Sequence, residues 1–161
     1  MSWKNLETDD FISNYQYWNI YKCDLCDHSF ALQQGGKRGG FCYCSPLINK
    51  QGQKASLIYF LTNEDGLIKV GLSSEGKSFT DRLHYLNREA VKAGLKPFQL
   101  TDLKRFDSRA VAFSLERMLH ARFKDHCFFV KPYAFEGQGE IMKGVSYGTV
   151  LDYYLTIEKL F

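Results

Sequence analysis

The chain has 161 residues, of which 45% are hydrophobic and 24% are charged, and this composition predicts a globular protein with one ordinary domain or a small module joined to a compact domain. Its net charge of +3 is too small to indicate nucleic-acid binding by itself. No apolar run approaches membrane-spanning length and the N-terminus is unlike a secretory signal, so the sequence predicts a soluble, cytoplasmic protein that does not enter a membrane.

Residues 1–54 form the first of two predicted parts, an N-terminal arm followed by a cysteine-rich module. Phe11, Ile12, Tyr15 and Trp18 recur at helical spacing, which predicts one short helix or a packing arm. A loop of glycines and cations at residues 35–40 then separates two pairs of cysteines. This composition differs from that of the rest of the chain, and the difference places the predicted domain boundary after residue 54.

The cysteine pairs are Cys23 with Cys26 and Cys42 with Cys44, and together they span 22 residues. An intracellular chain seldom uses disulfides, and so small a segment buries little apolar surface. The two pairs therefore predict a tetrahedral, structural zinc site. The short spacing of the second pair strains simultaneous ligation, so His28 is an alternative ligand, and reduced structural cysteines are the alternative to zinc. The lone Cys127 is interpreted as a core residue.

Residues 55–161 form the second predicted part, a compact α+β unit. The predicted elements are a strand at 57–62, a strand at 67–72, a helix at about 79–94, a strand at about 98–106, a helix at about 108–126 and a helix at about 146–160. Asp65-Gly66 signals a turn that joins the first two strands into a hairpin. Gly94 is the predicted end of the first helix, and Asp107 or Ser108 is the predicted cap of the second.

The predicted hairpin brings candidate chemistry to one face of a sheet. Side chains alternate between faces in an antiparallel pair, so the Tyr59 hydroxyl and the Lys69 ammonium can lie on the same side. Arg82 on the first helix and Glu116 on the second add a guanidinium and a carboxylate. A phenol, two cations and a carboxylate are the groups that cleavage of a phosphodiester needs.

At these residues the chain resembles the GIY-YIG nuclease superfamily. The first signature stands here as Leu57-Ile58-Tyr59 and the second as Lys69-Val70-Gly71, the arginine of the first helix matches Arg82, and the metal-binding glutamate matches Glu116. The resemblance covers about residues 55–161 and implies a three-stranded antiparallel sheet flanked by helices. Lys69 departs from the usual pattern, which has a second tyrosine at that position.

The resemblance also implies a role for each residue of the site. Glu116 would hold one divalent ion, Mg²⁺ or Mn²⁺, and Arg82 would grip the scissile phosphate. Tyr59 would act as general base or position the attacking water. Lys69 would stabilise its phenolate, hydrogen-bond the water or act as base itself.

Three further titratable residues are candidates for the site. His120 follows Glu116 by four residues and so projects from the same helix face, and His84 lies two residues beyond Arg82. Each histidine is a candidate for proton handling or an ordinary helix residue. Glu140 matches a family position at the rim of the site, where it is either a second carboxylate or a hydrogen-bonding group that closes the C-terminal loop.

The function that these observations predict is a metal-dependent DNA endonuclease of homing or restriction type. Residues 1–54 resemble the zinc-ribbon modules that accompany phage and mobile-element nucleases, so this segment is expected to help hold DNA. One active site per chain suits a nick, so a double-strand break would need two chains, as a homodimer on DNA, or two visits by one chain. The alternatives are a nucleic-acid-binding protein whose nuclease fold has lost its chemistry and a protein-interaction module built on the zinc ribbon.

Overall fold

The protein is described by a computed structural model that covers residues 3–6, 18–23, 29–33, 55–74, 77–127 and 140–161. The elements in chain order are β1 (Trp3–Leu6), β2 (Trp18–Cys23), β3 (Ser29–Gln33), β4 (Ser56–Thr62), β5 (Ile68–Ser74), α1 (Lys77–Lys92), β6 (Gln99–Phe106), α2 (Arg109–Arg122), β7 (Ile141–Met142) and α3 (Tyr147–Glu158). The predicted α+β class is therefore confirmed. Within these residues, no helix combines the length and apolarity that crossing a membrane requires.

The main sheet has four antiparallel strands in the order β6-β4-β5-β7. The expectation of three strands was wrong because it left out β7, which is only two residues long. So short a strand carries no alternating pattern that sequence can reveal. β7 pairs with Ile68 and Lys69 alone, so it covers only the first part of β5.

The hairpin of β4 and β5 has the predicted turn. The amide of Gly66, which has a φ of 76°, donates to the carbonyl of Asn63 at 3.1 Å. The Asn63 side-chain oxygen accepts from the amides of Asp65 and Leu67, both at 3.0 Å. This turn sets a register in which Tyr59 faces Gly71 and Leu61 faces Lys69.

Helices cover both faces of the main sheet, and each face has its own core. On the α2/α3 face, the buried residues of β4 and β5 pack with α2 and α3; the strand residues are Ile58, Phe60, Ile68 and Val70. On the α1 face, Tyr59 and Leu61 pack with Leu86 and Ala90 of α1. Neighbouring residues of one strand therefore enter different cores.

The helix boundaries agree with the sequence to within a few residues, with one correction. α1 ends before Gly94, whose φ of 85° makes it the predicted stop. Ser108 is the cap of α2, since its side chain accepts from the amide of Val111 at 3.5 Å. α2 does not reach residue 126 as predicted, because Lys124–His126 form a separate 3₁₀ turn.

The N-terminal strands form a second antiparallel sheet in the order β1-β2-β3. Trp18 begins β2, so its predicted place in a helix was wrong, while residues 11, 12 and 15 lie outside the described part of the chain. β3 packs against α2, where the Ala31 amide donates to the Ser114 hydroxyl at 2.9 Å. Ala31 also belongs to the core of the α2/α3 face.

Candidate active site

The candidate site lies where β5 continues beyond β7. From residue 70 to residue 74, β5 has no strand partner on this side among the described residues, and α2 runs beside it. The ring of His120 is fixed to this edge, because its Nε2 lies 2.8 Å from the carbonyl oxygen of Val70. The edge is thus bordered by polar side chains of α2 and not by another strand.

Tyr59 lies across the strand from Gly71 with its hydroxyl directly over the glycine. A Cβ at position 71 would overlap the Tyr59 hydroxyl and ring, so only glycine leaves room for this phenol. Phe79 of α1 flanks the ring, with centroids 5.5 Å apart. The hydroxyl is buried and has no hydrogen-bond partner among the described residues. A buried phenol without a partner is costly for stability. Tyr154 in the α2/α3 core shares this feature, so it is the position of the Tyr59 hydroxyl over Gly71 that sets this phenol apart.

Lys69 is on the same face as Tyr59, as the hairpin predicted, and its side chain is only 2% exposed. Its ammonium donates to Glu140 at 2.6 Å, and Glu140 directly precedes β7. A buried lysine needs a charged partner, and this carboxylate supplies it. The pairing joins residues 71 positions apart.

Glu116, His120 and Glu140 form a group that could hold a metal ion. One ligand atom from each residue lies within 4.8 Å of the others, and Nδ1 of His120 is 4.0 Å from an oxygen of Glu116. Two ligands that each lie about 2.1 Å from one ion are at most about 4.2 Å apart. The 4.0 Å between His120 and Glu116 is within this span, and the 4.8 Å bound for the whole group exceeds it by about 0.6 Å. The group adds two ligands to the one that the sequence predicted.

The hydrogen bond of His120 fixes which of its nitrogens can bind a metal. A carbonyl oxygen only accepts hydrogen bonds, so Nε2 carries the hydrogen and donates it to the carbonyl of Val70. Burial lowers the pKa of His120 below its ordinary value, opposed by Glu140 and by the Val70 hydrogen bond, and so favours the neutral ring. In the neutral ring Nδ1 has a free lone pair, and Nδ1 is the atom that faces Glu116.

The environment of Glu116 makes it prefer a neutralising partner. Its pKa is raised from 4.5 to about 7, first by burial and then by the negative charge of Glu140. The positive charges of Lys69, Arg82 and Arg109 act in the opposite direction. A divalent cation would stabilise the ionised carboxylate in the same way, so the site favours either a proton or a metal ion.

Most of the residues that the sequence predicts for the active site lie close together in the structure, and some do not. Tyr59, Lys69, Glu116 and His120 lie at or beside the open edge of β5, and Arg82 is close enough for its charge to act on Glu116. His84 is exposed on α1 and makes no hydrogen bond or ion pair with the described residues. The predicted zinc ligands fall outside the described side chains: Cys23 is the last residue of β2, and Cys26, Cys42 and Cys44 lie in undescribed segments.

One residue of the site was missed as a functional group in the sequence. Arg109 begins α2 and acts electrostatically on Glu116, yet the sequence offered it only as one of many surface cations. The signal that could have found it is its spacing. It precedes Glu116 by seven residues, which is two helical turns on the same face.

The comparisons with known proteins supply no relative for this chain. No protein-family model, no curated protein and no solved structure matches it. Any functional conclusion therefore depends on the geometry and chemistry of its own residues.

Proposed function

We propose that this protein is a divalent-metal-dependent DNA endonuclease of the GIY-YIG type. What supports the proposal is the convergence, at the open edge of β5, of side chains from separate elements. The Tyr59 hydroxyl lies over Gly71, the Lys69 ammonium is buried on the same face, and Arg82 acts on Glu116 from the other helix. A packed core has no need for a buried ammonium on the same face as a phenol that overlies glycine, whereas phosphodiester chemistry uses both groups.

Each group has a chemical task in hydrolysis. The oxygen of a water molecule forms a new bond to phosphorus, the ester P–O bond breaks, and the leaving oxygen takes a proton. Tyr59 orients the attacking water or, as a phenolate, accepts its proton, and the Lys69 ammonium stabilises that phenolate. Arg82 holds the phosphoryl oxygens through its planar guanidinium. A divalent ion on Glu116, His120 and Glu140 would supply Lewis-acid stabilisation of the phosphoryl charge.

The donor set of the metal group bears on which ion it prefers. Two carboxylates alone would suit Mg²⁺, but the lone pair on Nδ1 of His120 adds a softer nitrogen donor. Mn²⁺ accepts both oxygen and imidazole ligands better than Mg²⁺ does. We therefore expect faster cleavage with Mn²⁺ than with Mg²⁺, and a smaller difference between the two ions in His120→Gln.

The decisive experiment is a nicking assay on supercoiled plasmid with Mg²⁺, with Mn²⁺ and with chelator. We expect the purified protein to nick the plasmid with either metal and to be inactive in chelator. Glu116→Gln should reduce nicking to background, because it removes the carboxylate that the metal needs. Zinc measured on the same preparation tests the predicted structural site of the N-terminal cysteines.

Glu89→Gln is a matched control for this substitution. Glu89 is 7% exposed and Glu116 is 8% exposed, and both lie on helices. Glu89, however, pairs with Lys92 at 3.1 Å and takes no part in the metal group. Full activity in Glu89→Gln with none in Glu116→Gln supports the assignment, and equal loss in both variants contradicts it.

A second candidate function is a nucleic-acid-binding protein that does not cleave. The observation that favours it is the 2.6 Å pair of Lys69 with Glu140, which places an ammonium on a carboxylate that the metal group requires. DNA binding in chelator together with no cleavage under any divalent ion would establish this alternative and overturn the nuclease proposal.

A further inference from the structure

Arg109, Glu116 and His120 form a single polar stripe along α2. At about 100° per residue, positions separated by seven and by eleven residues lie within roughly 20° of one line on the helix surface. The stripe begins in the first turn with Arg109 and ends in the last turn with His120. Of the three residues, only Glu116 and His120 belong to the metal group.

Both ends of this stripe touch β5. His120 contacts the carbonyl of Val70 at 2.8 Å, and Nη1 of Arg109 lies 3.5 Å from the hydroxyl of Ser74. The stripe therefore runs along the part of β5 that β7 leaves open, from Ser74 towards Val70. Gly71, with the Tyr59 hydroxyl over it, belongs to the same stretch of strand. The result is one line of polar groups beside the open edge of β5, with a guanidinium at one end and the metal group at the other.

Arg109 has no acidic partner among the described residues, unlike Arg105 and Lys69. Arg105 pairs with Asp107 at 2.7 Å, and Lys69 pairs with Glu140 at 2.6 Å. No carboxylate of the described residues pairs with Arg109, whose guanidinium reaches only a neutral hydroxyl at the limit of hydrogen bonding. A half-buried guanidinium without a counter-ion leaves most of its donors for a ligand, and the fitting ligand is an anion with several oxygens.

We propose that Arg109 binds a backbone phosphate of the DNA next to the one that is cleaved. The inference depends on the proposed nuclease function and adds a second phosphate contact to it. Seven residues separate Arg109 and Glu116 by about 10 Å along the helix axis. Helical side chains lean towards the N-terminus, which directs the guanidinium away from the metal group. Arg109 therefore holds the DNA strand in register along the open edge of β5 while Arg82 holds the scissile phosphate.

The test measures the salt dependence of DNA binding in chelator, where no cleavage occurs. The probe is a fluorescent duplex of about 20 base pairs, titrated at a series of KCl concentrations. Each phosphate contact contributes about 0.9 to the slope of log K against log salt concentration, so Arg109→Ala should lower the magnitude of this slope by about 0.9. Arg109→Lys keeps the charge and should keep the slope, which a purely structural role would not produce.

Cleavage kinetics provide the second readout. Arg109→Ala should raise KM roughly tenfold and leave kcat within about twofold, because the lost contact holds the substrate and not the reacting atoms. Arg105→Ala is the control, since Asp107 already neutralises that side chain. It should leave both the slope and KM unchanged.

The outcomes separate failure of the inference from failure of the proposed function. If the wild-type protein binds and cuts DNA while Arg109→Ala keeps the wild-type slope and KM, the role of Arg109 is refuted and the nuclease proposal stands. A loss of kcat with an unchanged slope would also refute it, by placing Arg109 in the chemistry. If the wild-type protein neither binds nor cuts DNA, both proposals fail together.

Discussion

The two faces of the main sheet are made by alternate residues of the same two strands, yet they bury side chains of different polarity. On the α2/α3 face, Ile58, Phe60 and Val70 are completely buried among apolar neighbours. On the α1 face, Tyr59 and Lys69 are buried just as deeply, and the Lys69 ammonium needs a distant carboxylate. The Tyr59 hydroxyl has no hydrogen-bond partner among the described residues, a feature that it shares with Tyr154 of the other core.

The two faces therefore differ in the kind of side chain that they bury. The α2/α3 face follows the ordinary rule that burial of apolar area stabilises a fold. The α1 face departs from that rule at Tyr59 and Lys69, since both bury polar groups that stability alone would replace with apolar ones. Substitutions in adjacent positions of one strand should therefore have opposite effects on stability and on activity.

The largest effect on stability is expected for Phe60→Ala. Phe60 is fully buried and meets Tyr154 edge to face, with ring centroids 5.0 Å apart. Loss of a buried phenylalanine leaves a cavity and should cost about 3–5 kcal/mol of unfolding free energy. Urea denaturation measures this cost, and Leu103→Ala, at a side chain 40% exposed, should cost less than about 1 kcal/mol. Equal costs at the two positions would contradict the division between core and surface.

The second effect concerns pH and Glu116. Its pKa is raised from 4.5 in the unfolded chain to about 7 in the folded protein. The folded state therefore binds this proton more tightly, and the stabilisation is complete below pH 4.5 and lost as pH rises through about 7. The loss amounts to about 3 kcal/mol, since one pKa unit corresponds to about 1.4 kcal/mol.

Glu116→Gln should remove this pH dependence. Denaturation at pH 5, 6, 7 and 8 in chelator should show the difference in stability between the variant and the wild type growing with pH in favour of the variant. Saturating Mn²⁺ should reverse the trend in the wild type only, because the ion binds the ionised carboxylate. Parallel pH profiles in chelator would show that burial does not hold the proton on Glu116.

The third effect is expected for Gly71→Ala. Its Cβ would overlap the Tyr59 hydroxyl and ring, so the ring must move, at a cost of about 1–3 kcal/mol and with loss of nicking. Gly148→Ala is the control, because its Cβ would meet nothing closer than the Ser146 hydroxyl at 3.9 Å and it lies in helix α3. That control should stabilise the protein by about 0.5–1 kcal/mol. If Gly71→Ala costs as much in a Tyr59→Ala background, the overlap with Tyr59 is not its cause.

The smallest effect on stability is expected for Tyr59→Phe. The hydroxyl is buried without a partner, so its removal should change the unfolding free energy by less than about 1 kcal/mol, in the stabilising direction. Nicking should nevertheless fall by about 10²–10⁴-fold if the phenol handles the attacking water. Unchanged nicking with unchanged stability would assign the hydroxyl no role in the chemistry.

The parts of the fold that could be predicted are those with a local signal. The hairpin was predictable because Asp65-Gly66 fixes the turn and alternation then places Tyr59 and Lys69 on one face. α2 was predictable because its apolar residues recur at helical spacing and Ser108 caps it. The same spacing correctly placed His120 beside Glu116.

The parts that could not be predicted depend on contacts between distant residues. Glu140 pairs with Lys69, which lies 71 positions earlier in the sequence. β7 has only two residues, too few to show an alternating pattern of apolar and polar side chains. Sequence similarity to a family position suggested Glu140 as a second carboxylate, but only the fold shows which residue it pairs with. Arg109 is hard to single out because a cation on a helix is usually solvated, and its seven-residue spacing from Glu116 becomes informative only once Glu116 is placed in the site.

The turn at Asn63 carries none of the candidate site residues, yet it determines which way Tyr59 and Lys69 point. Its side-chain oxygen ties the amides of Asp65 and Leu67, and so fixes the number of residues between the two strands. If a deletion in this loop were passed on to β5 as a shift of one residue, Lys69 would enter the apolar core and Val70 would take its place beside Tyr59. The length of this loop therefore sets which residues of β5 lie on each side of the sheet. A change of one residue would exchange the chemistry of the two sides without altering any side chain of the candidate site.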